Sequence, residues 1–568
     1  MSLVAERPDD DSARLALGDL LEGRGQPARG EYVRAICAAE REQDERRRFE
    51  LLDRADDLRA EHEDRWLGEW RERLVDWEFR CGFLHRVRMT ASEFLRHGEG
   101  LFGAEPVARL ELVNEAHLAL SAEGVRAVVS HPAFAHVRDC AIVPAQFFDP
   151  TPLGAWLEAL AGNARITRLA GLGLTKRAPL NRFEGLEPPA LAAFCKAAHL
   201  RTLARLELPG RPGGEAHRDW LVPQLAAASF ATSLRSLRLR GAGIGRAGFE
   251  RVASDRAFAG LRELDLSGNG GDPEWWSAVL QSPSLASLEA LVIPADQLAA
   301  YSQSALAPKV TDLTVVHPER RAVALDEGRE AWSRLLSRGA RPERLSLRIY
   351  NPGAAVFEQM TRLRWTDELR ELSIAGDSQA DVFGEEPDAV VSLFQPDALP
   401  RLTALRLHEA SFESALVALR GWRRLEVLER LELTDDYYGR LLPSMLAGQS
   451  APRRLGTLRG VALYQDADVE RFLALPCLAR LKRLELSCCK APPALSPSAA
   501  ARILRDPRLS RLEELSLWFP ETPAAAREAG ELLASREVLP RLRRLRFDDD
   551  GAAPRDGLQA RFGPRLEG

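Results

Sequence analysis

Leu261-Arg-Glu-Leu264-Asp-Leu266, Leu288-Glu-Ala-Leu291-Val-Ile293 and Leu542-Arg-Arg-Leu545-Arg-Phe547 are three copies of one pattern, L-x-x-L-x-L. Sixteen candidate copies start at Val107, Val137, Ile166, Leu203, Leu234, Leu261, Leu288, Val310, Pro342, Leu369, Leu402, Leu428, Leu458, Leu481, Leu512 and Leu542. Most intervals fall between 26 and 33 residues. A fixed apolar signature at that spacing predicts stacked units, not a compact globule. The last two apolar residues of each copy are two apart, so they share one face of a short strand and the residue between them points away. Helical signals follow the strands. Ser121 precedes Val125, Val128 and Val129, and Gly248-Phe249 precedes Val252-Ala253. Each unit therefore reads as strand, turn and helix. Helices need about 10 Å of width and parallel strands about 4.8 Å, so stacking predicts a horseshoe with the parallel sheet on its concave side.

This array resembles the leucine-rich repeat family, most closely its long-repeat, ribonuclease-inhibitor-like subclass. The family places an Asn or Cys after the strand to bond the turn backbone. Leu266-Ser-Gly-Asn269 keeps that feature, and Ser487-Cys488-Cys489 offers a substitute. The register near Leu455 stays open, because Leu455-Gly-Thr-Leu458 also begins the pattern. The first hundred residues lack the repeat. Asp19-Leu20-Leu21-Glu22-Gly23, Arg29-Gly30-Glu31-Tyr32-Val33-Arg34 and Trp66-Leu67-Gly68 are similar to a bacterial repeat-companion domain. That resemblance implies architecture and no mechanism. The expected fold is α/β: a helical N-terminal module over 1–104, a solenoid of about 16 units over 105–550, and a C-terminal tail over 551–568. Trp66, Trp70, Trp77 and Phe83 stand at the junction as candidates to cover the first repeat, since an open solenoid end exposes apolar surface.

Composition narrows the function. The 568 residues carry 78 basic and 83 acidic side chains, a net charge of −5, which argues against a dedicated nucleic-acid surface. Seven scattered Cys without C-x-x-C fit a reduced interior, and the N-terminal residues lack a signal-peptide pattern. No apolar run is long enough to span a membrane. The cytoplasm is the expected compartment. None of the five Lys follows a Gly, so no phosphate-cradling Gly-Lys-Ser/Thr exists, and H-E-x-x-H and G-x-S-x-G are absent. Asp548-Asp549-Asp550-Gly551 lacks the ligand spacing of a calcium loop and reads as the end of the last repeat. No cofactor or metal is expected.

The remaining candidate surface is the outward row of the strands. Its partner-binding candidates are Arg205, Glu207, Arg238, Arg240, Glu263, Asp265, Asp312, Arg344, Arg406, Arg430, Glu432 and Trp518. The expected central row includes Glu111, Ala141, Ala170, Glu207, Arg238, Ala462 and Arg546. Sixteen strands give a face about 75 Å long and on the order of 800 Å² in area, comparable with one side of a standard protein interface and too open for a small molecule. The function expected is a non-enzymatic scaffold for an unidentified protein partner. One alternative is a regulatory or toxin-related enzyme with its chemistry among Asp19, Glu22, Arg24, Arg29, Glu31 and Arg34. A second alternative is a nucleic-acid binder.

Overall fold

The computed structural model describes residues 11–80, 82–113, 120–143, 151–174, 183–184, 186–208, 210, 218–269, 273–316, 342–348, 365–375, 394–395, 398–408, 419, 422–434, 442–446, 454–488, 495–519, 522–549, 551, 553 and 555–567. The chain divides into two compact units, Met1–Ala242 and Gly243–Gly568. Both are built from strands alternating with helical segments, a solenoid-like α/β arrangement.

The first unit opens with helices α1 (Asp11–Gly23), α2 (Pro27–Arg41) and α3 (Glu45–Leu67). Strands β1 (Asp76–Arg80) and β2 (Phe83–Thr90) form an antiparallel hairpin. From β2 onward the pairing is parallel, through β3 (Arg109–Val113), β4 (Asp139–Val143), β5 (Gly171–Leu174), β6 (Arg205–Glu207) and β7 (Ser236–Arg238). The parallel sheet thus begins one unit before Val107, at Leu84-His-Arg-Val87-Arg-Met89, which carries the same apolar spacing. Helix α4 (Ala91–Ala104) completes that unit. Helices α5 (Ala122–Ser130), α6 (Leu153–Gly162), α7 (Pro188–Lys196) and α8 (Leu221–Ala226) follow β3 to β6 in turn. The Ser121 hydroxyl starts α5 where expected, accepting from Gly124 N at 3.1 Å. The hairpin partner β1 covers the free edge of β2, which would otherwise offer unpaired backbone to another chain.

The junction aromatics are buried. Trp66 packs edge-on against Tyr32 of α2 and Phe79 of β1, and the Trp77 indole donates to Glu63 of α3. Trp70 is also buried, and the Cα of Gly100 on α4 faces its ring.

The second unit carries an all-parallel sheet: β8 (Glu263–Asp265), β9 (Ala290–Pro294), β10 (Asp312–Val316), β11 (Arg344–Arg348), β12 (Glu371–Ala375), β13 (Ala404–His408), β14 (Arg430–Thr434), β15 (Thr457–Ala462), β16 (Arg483–Ser487), β17 (Glu514–Trp518), β18 (Arg544–Asp548) and β19 (Leu566–Glu567). Among the described residues its helices are α9 (Arg246–Ser254), α10 (Pro273–Leu280), α11 (Leu298–Gln303), α12 (Leu442–Leu446), α13 (Asp466–Leu473), α14 (Pro497–Leu504), α15 (Pro523–Ala534) and α16 (Arg555–Phe562). One leucine row runs in register through the whole sheet: Leu264, Leu291, Leu313, Leu345, Leu372, Leu405, Leu431, Leu458, Leu484, Leu515, Leu545 and Leu566. All but Leu566 are buried. Because side chains alternate along a strand, this buried row dictates which residues face out.

Two expected phases are corrected. At the third copy the strand follows Leu169-Ala-Gly-Leu172-Gly-Leu174, not Ile166, so Gly173 and not Ala170 stands beside Ala141 and Glu207. Three apolar side chains reach the core in that phase, whereas Gly171 offers none in the other. At Leu455/Leu458 the strand follows Leu455, since Leu458 aligns with Leu431 and Leu484. One extra residue then intrudes. Val461 aligns with Leu486, so three residues advance on β15 where two advance on β16. This bulge turns on Gly460, at φ +79°. Arg459 therefore takes the central-row place beside Glu432, and Ala462 moves next to Ser487.

The residues expected as a tail instead form α16 and β19. Arg561 of α16 is buried and donates to the carbonyls of Leu533 at 2.6 Å, Val538 at 2.9 Å and Leu539 at 2.8 Å. A cation there satisfies the open C-terminal end of α15. Leu558 and Phe562 are buried on the same helix.

Candidate functional site

The outward residues of the parallel strands form polar ladders, each described within its own unit. In the first unit the ladder begins with a buried charged network. The Glu111 carboxylate accepts from Arg88 Nη2 at 2.7 Å and Nε at 2.9 Å, and lies 3.0 Å from Arg109 and 3.4 Å from Arg86. Arg86 also reaches Asp76 at 3.0 Å and Glu78 at 3.2 Å. Burial works against the charge on Glu111, but Arg88 and then Arg86 outweigh it and hold its carboxyl below the ordinary range. The outward alternation of Arg86 and Arg88 within Leu84-x-x-Val87-x-Met89 was the signal for this network.

Arg205 pairs with the Asp139 carboxylate two strands away, across β5. Gly171 permits this, because a Cβ there would stand 2.8 Å from Asp139 Oδ2. Gly171→Ala is expected to cost about 1–2 kcal/mol, read from urea unfolding midpoints. Gly173→Ala, two residues on in the same strand, meets nothing nearer than 3.9 Å and should be neutral. Equal midpoints for the two variants would sink the assignment. Glu207 faces Arg238 at 3.7 Å, and Arg240 is exposed beyond β7.

In the second unit, Asp265 accepts from Ser267 N at 2.9 Å and Ser267 Oγ at 2.6 Å, so it organises its own turn. Glu263 is half-buried on the same strand. The grouping of Arg238, Arg240, Glu263 and Asp265 expected from the sequence spans the two compact units. Asn269 does what its place after the strand predicted: its Nδ2 donates to Leu266 O at 2.7 Å and its Oδ1 accepts from Ile244 N at 3.2 Å. Asp312 and Arg344 pair at 2.9 Å.

Farther along, arginines outnumber their carboxylates. Arg406 and Arg430 share Glu432 at 3.3 and 3.7 Å. Arg459, Arg483 and Arg544 share Glu514 at 4.0, 3.6 and 3.1 Å. Burial, and then Arg406, lower the Arg430 pKa, with Glu432 opposing. Trp518 is 38% exposed; Leu20 is the other exposed large apolar side chain among the described residues. Arg459 was missed because the Leu458 phase turned it out of the row.

The six N-terminal candidates do not converge. Arg34 reaches Glu22 at 3.0 Å and Asp19 at 3.3 Å on the surface, and Glu31 pairs with Arg54 at 2.7 Å. Arg24 is exposed. Arg29 is buried instead, donating to Glu105 at 2.9 and 3.0 Å and to the Gly82 carbonyl.

Asp549 is buried and holds its own turn, accepting from Gly551 N at 3.3 Å, from Ala553 N and from Arg555 at 3.1 Å. Among the described residues, no group of three His, Cys, Asp or Glu is placed to hold a metal ion. Cys37, Cys140, Cys195, Cys477 and Cys488 are buried thiols; Cys81 and Cys489 lie outside the described residues. Burial pushes Cys195 and Cys477 up to about 12. Since the thiolate is the nucleophile, both should resist iodoacetamide in the folded protein near pH 8 and react after unfolding. Site-resolved mass spectrometry checks this, and rapid native labelling of either would contradict it.

No helix among the described residues is long and apolar enough to cross a membrane. No family model matches the chain, and no curated protein matches it. Among solved structures, a Bacteroides fragilis structural-genomics protein is similar over 40% of this chain, at 13% identity and a TM-score of 0.27. The chain spans 64% of that protein's length.

Proposed function

We propose that the chain is a non-enzymatic protein-interaction scaffold of the leucine-rich repeat kind, which receives a protein partner on the polar face of its parallel sheet. The observation that carries this is the in-register leucine row of the second unit. It commits every strand from β8 to β18 to one buried face and leaves the opposite face to display charged side chains. Eleven strands at about 4.8 Å make that face roughly 50 Å long. Such a ladder is too open to enclose a small molecule, and its interleaved charges favour a partner of complementary pattern.

The test is affinity capture from the native cell by the full chain, followed by mass spectrometry, with charge reversals as controls. Reversal pairs at Asp312 and Arg344 and at Arg406 and Arg430 sample this face, and a third pair at Arg238 and Arg240 samples the polar ladder of the first unit by itself. At least one pair should abolish recovery of a reproducible partner while leaving the circular dichroism spectrum and melting temperature nearly unchanged. If recovery survives all three and is lost when Glu31 and Arg34 are changed, the N-terminal helices are the functional surface.

A further inference from the structure

Arginines on the last strands of the second unit recur at every second strand. Along one row the register reads Arg430, Thr457, Arg483, Glu514, Arg544 on β14 to β18. The neighbouring row reads Arg406, Glu432, Arg459 on β13 to β15. Adjacent parallel strands lie about 4.8 Å apart, so like charges repeat at about 9.6 Å across the strands. Five of these guanidiniums share two carboxylates, Glu432 and Glu514. Arg546, in the central row beside Ser516, is exposed and makes no ion pair among the described residues. Trp518 is exposed one row away, between Ser487 and Asp548.

An extended acidic peptide fits this pattern. In the polyproline II conformation a chain advances about 3.1 Å per residue with three residues per turn. Acidic residues at every third position then lie on one side of it, about 9.3 Å apart. Resting on the reading of a protein partner bound on the polar face, we infer that β13 to β18 bind an extended acidic segment of that partner, running across the strands, with a carboxylate at every third residue and an apolar side chain against Trp518. In the two spaced rows each carboxylate meets a guanidinium already held in place by Glu432 or Glu514, which reduces the ordering needed on binding, and Arg546 adds an exposed guanidinium beside them. The interleaved Glu432, Glu485, Glu514 and Asp548 favour spaced carboxylates over the continuous phosphate charge of a nucleic acid. Among the described residues Trp518 is the single exposed aromatic, which falls short of the stacking series that unpaired bases use.

The test uses the full chain and a dye-labelled peptide, (Glu-Ala-Pro) repeated five times and ending in Leu, read by fluorescence anisotropy. Its comparison is an isomer of the same composition with the glutamates in one block. The spaced peptide should bind at least tenfold more tightly, and binding should weaken as salt is raised. Arg546→Gln and Arg459→Gln should each weaken it at least threefold and Trp518→Ala more so, with melting temperatures unchanged; Arg34→Gln should leave it as it was. Equal binding of the two isomers, unchanged binding by these variants, or tighter binding of a thymidine oligonucleotide would overturn the inference. If the peptide fails while a partner captured from cells is lost on reversing other face residues, this inference falls and the scaffold reading stands. If no face variant affects capture, the scaffold reading itself falls.

Discussion

Gly460→Ala is expected to lower the stability of the second unit by at least about 3 kcal/mol. Two costs add at this residue. Its backbone lies in the left-handed region, at φ +79°, where a side chain is strained by about 1–2 kcal/mol. A Cβ would also stand 1.6 Å from the Leu433 carbonyl oxygen of the adjacent strand, which is backbone and cannot rotate aside. Relief requires β14 and β15 to part, or the bulge to be expelled. Expulsion shifts Val461 and the residues after it by one position, turning apolar side chains outward. The loss should be local, because stacked repeats couple mainly to their neighbours. Hydrogen exchange should therefore rise first in β14, β15 and β16, while the urea midpoint falls. Gly456→Ala is the control, since its Cβ would meet nothing nearer than 3.8 Å. If Gly460→Ala matches that control, the extra residue does not depend on glycine and the bulge is misassigned.

The strand ladder was legible in the sequence because apolar spacing and burial are the same fact seen twice. A Leu at each recurring position must reach the core, and doing so sets the register of everything between. Legibility failed where that rule was locally satisfied in two ways. Ile166 and Leu169 both begin plausible copies, and only stacking on Cys140 and Leu206 selects Leu169-x-x-Leu172. Leu455 and Leu458 compete likewise, and the bulge uses parts of both. The polar face was legible as a set of residues and not as a set of partners. Arg205 reaches past one strand to Asp139, and one carboxylate, Glu514, collects three arginines; neither follows from spacing. Arg29 was legible only as one of six charged candidates in the N-terminal module, with nothing in the sequence to set it apart from the surface residues Glu31 and Arg34. Its partner Glu105 lies 76 residues away, beyond any local pattern.

Arg29→Met should destabilise the first unit by about 3–5 kcal/mol, the cost of leaving one partner of a buried ion pair behind. Arg29 holds α2 against the start of the sheet. It donates to both Glu105 oxygens, at 2.9 and 3.0 Å, and to the Gly82 carbonyl, and its guanidinium lies 4.3 Å from the centre of the Phe83 ring. Glu105 in turn accepts from Leu84 N at 3.1 Å, so one carboxylate joins the helix to β2. Burial raises the Glu105 carboxyl above its ordinary range, with Arg29 and Leu84 N pulling it down. A carboxyl raised in the fold binds a proton more readily there than in the unfolded chain. Its contribution to stability is therefore greatest below the unfolded pKa and fades as pH rises through the folded one. Removing Arg29 takes away the main downward pull and widens that window. The deficit of Arg29→Met should thus be largest near about pH 8 and shrink toward about pH 5, as Glu105 takes up a proton. Adding Glu105→Gln removes the stranded charge and keeps an acceptor for Leu84 N. The double variant should recover at least half of the loss and lose the pH dependence. Urea unfolding at the two pH values measures both quantities. A deficit under about 1 kcal/mol, or one that does not change with pH, would place Arg29 among the solvated charges of the helix surface.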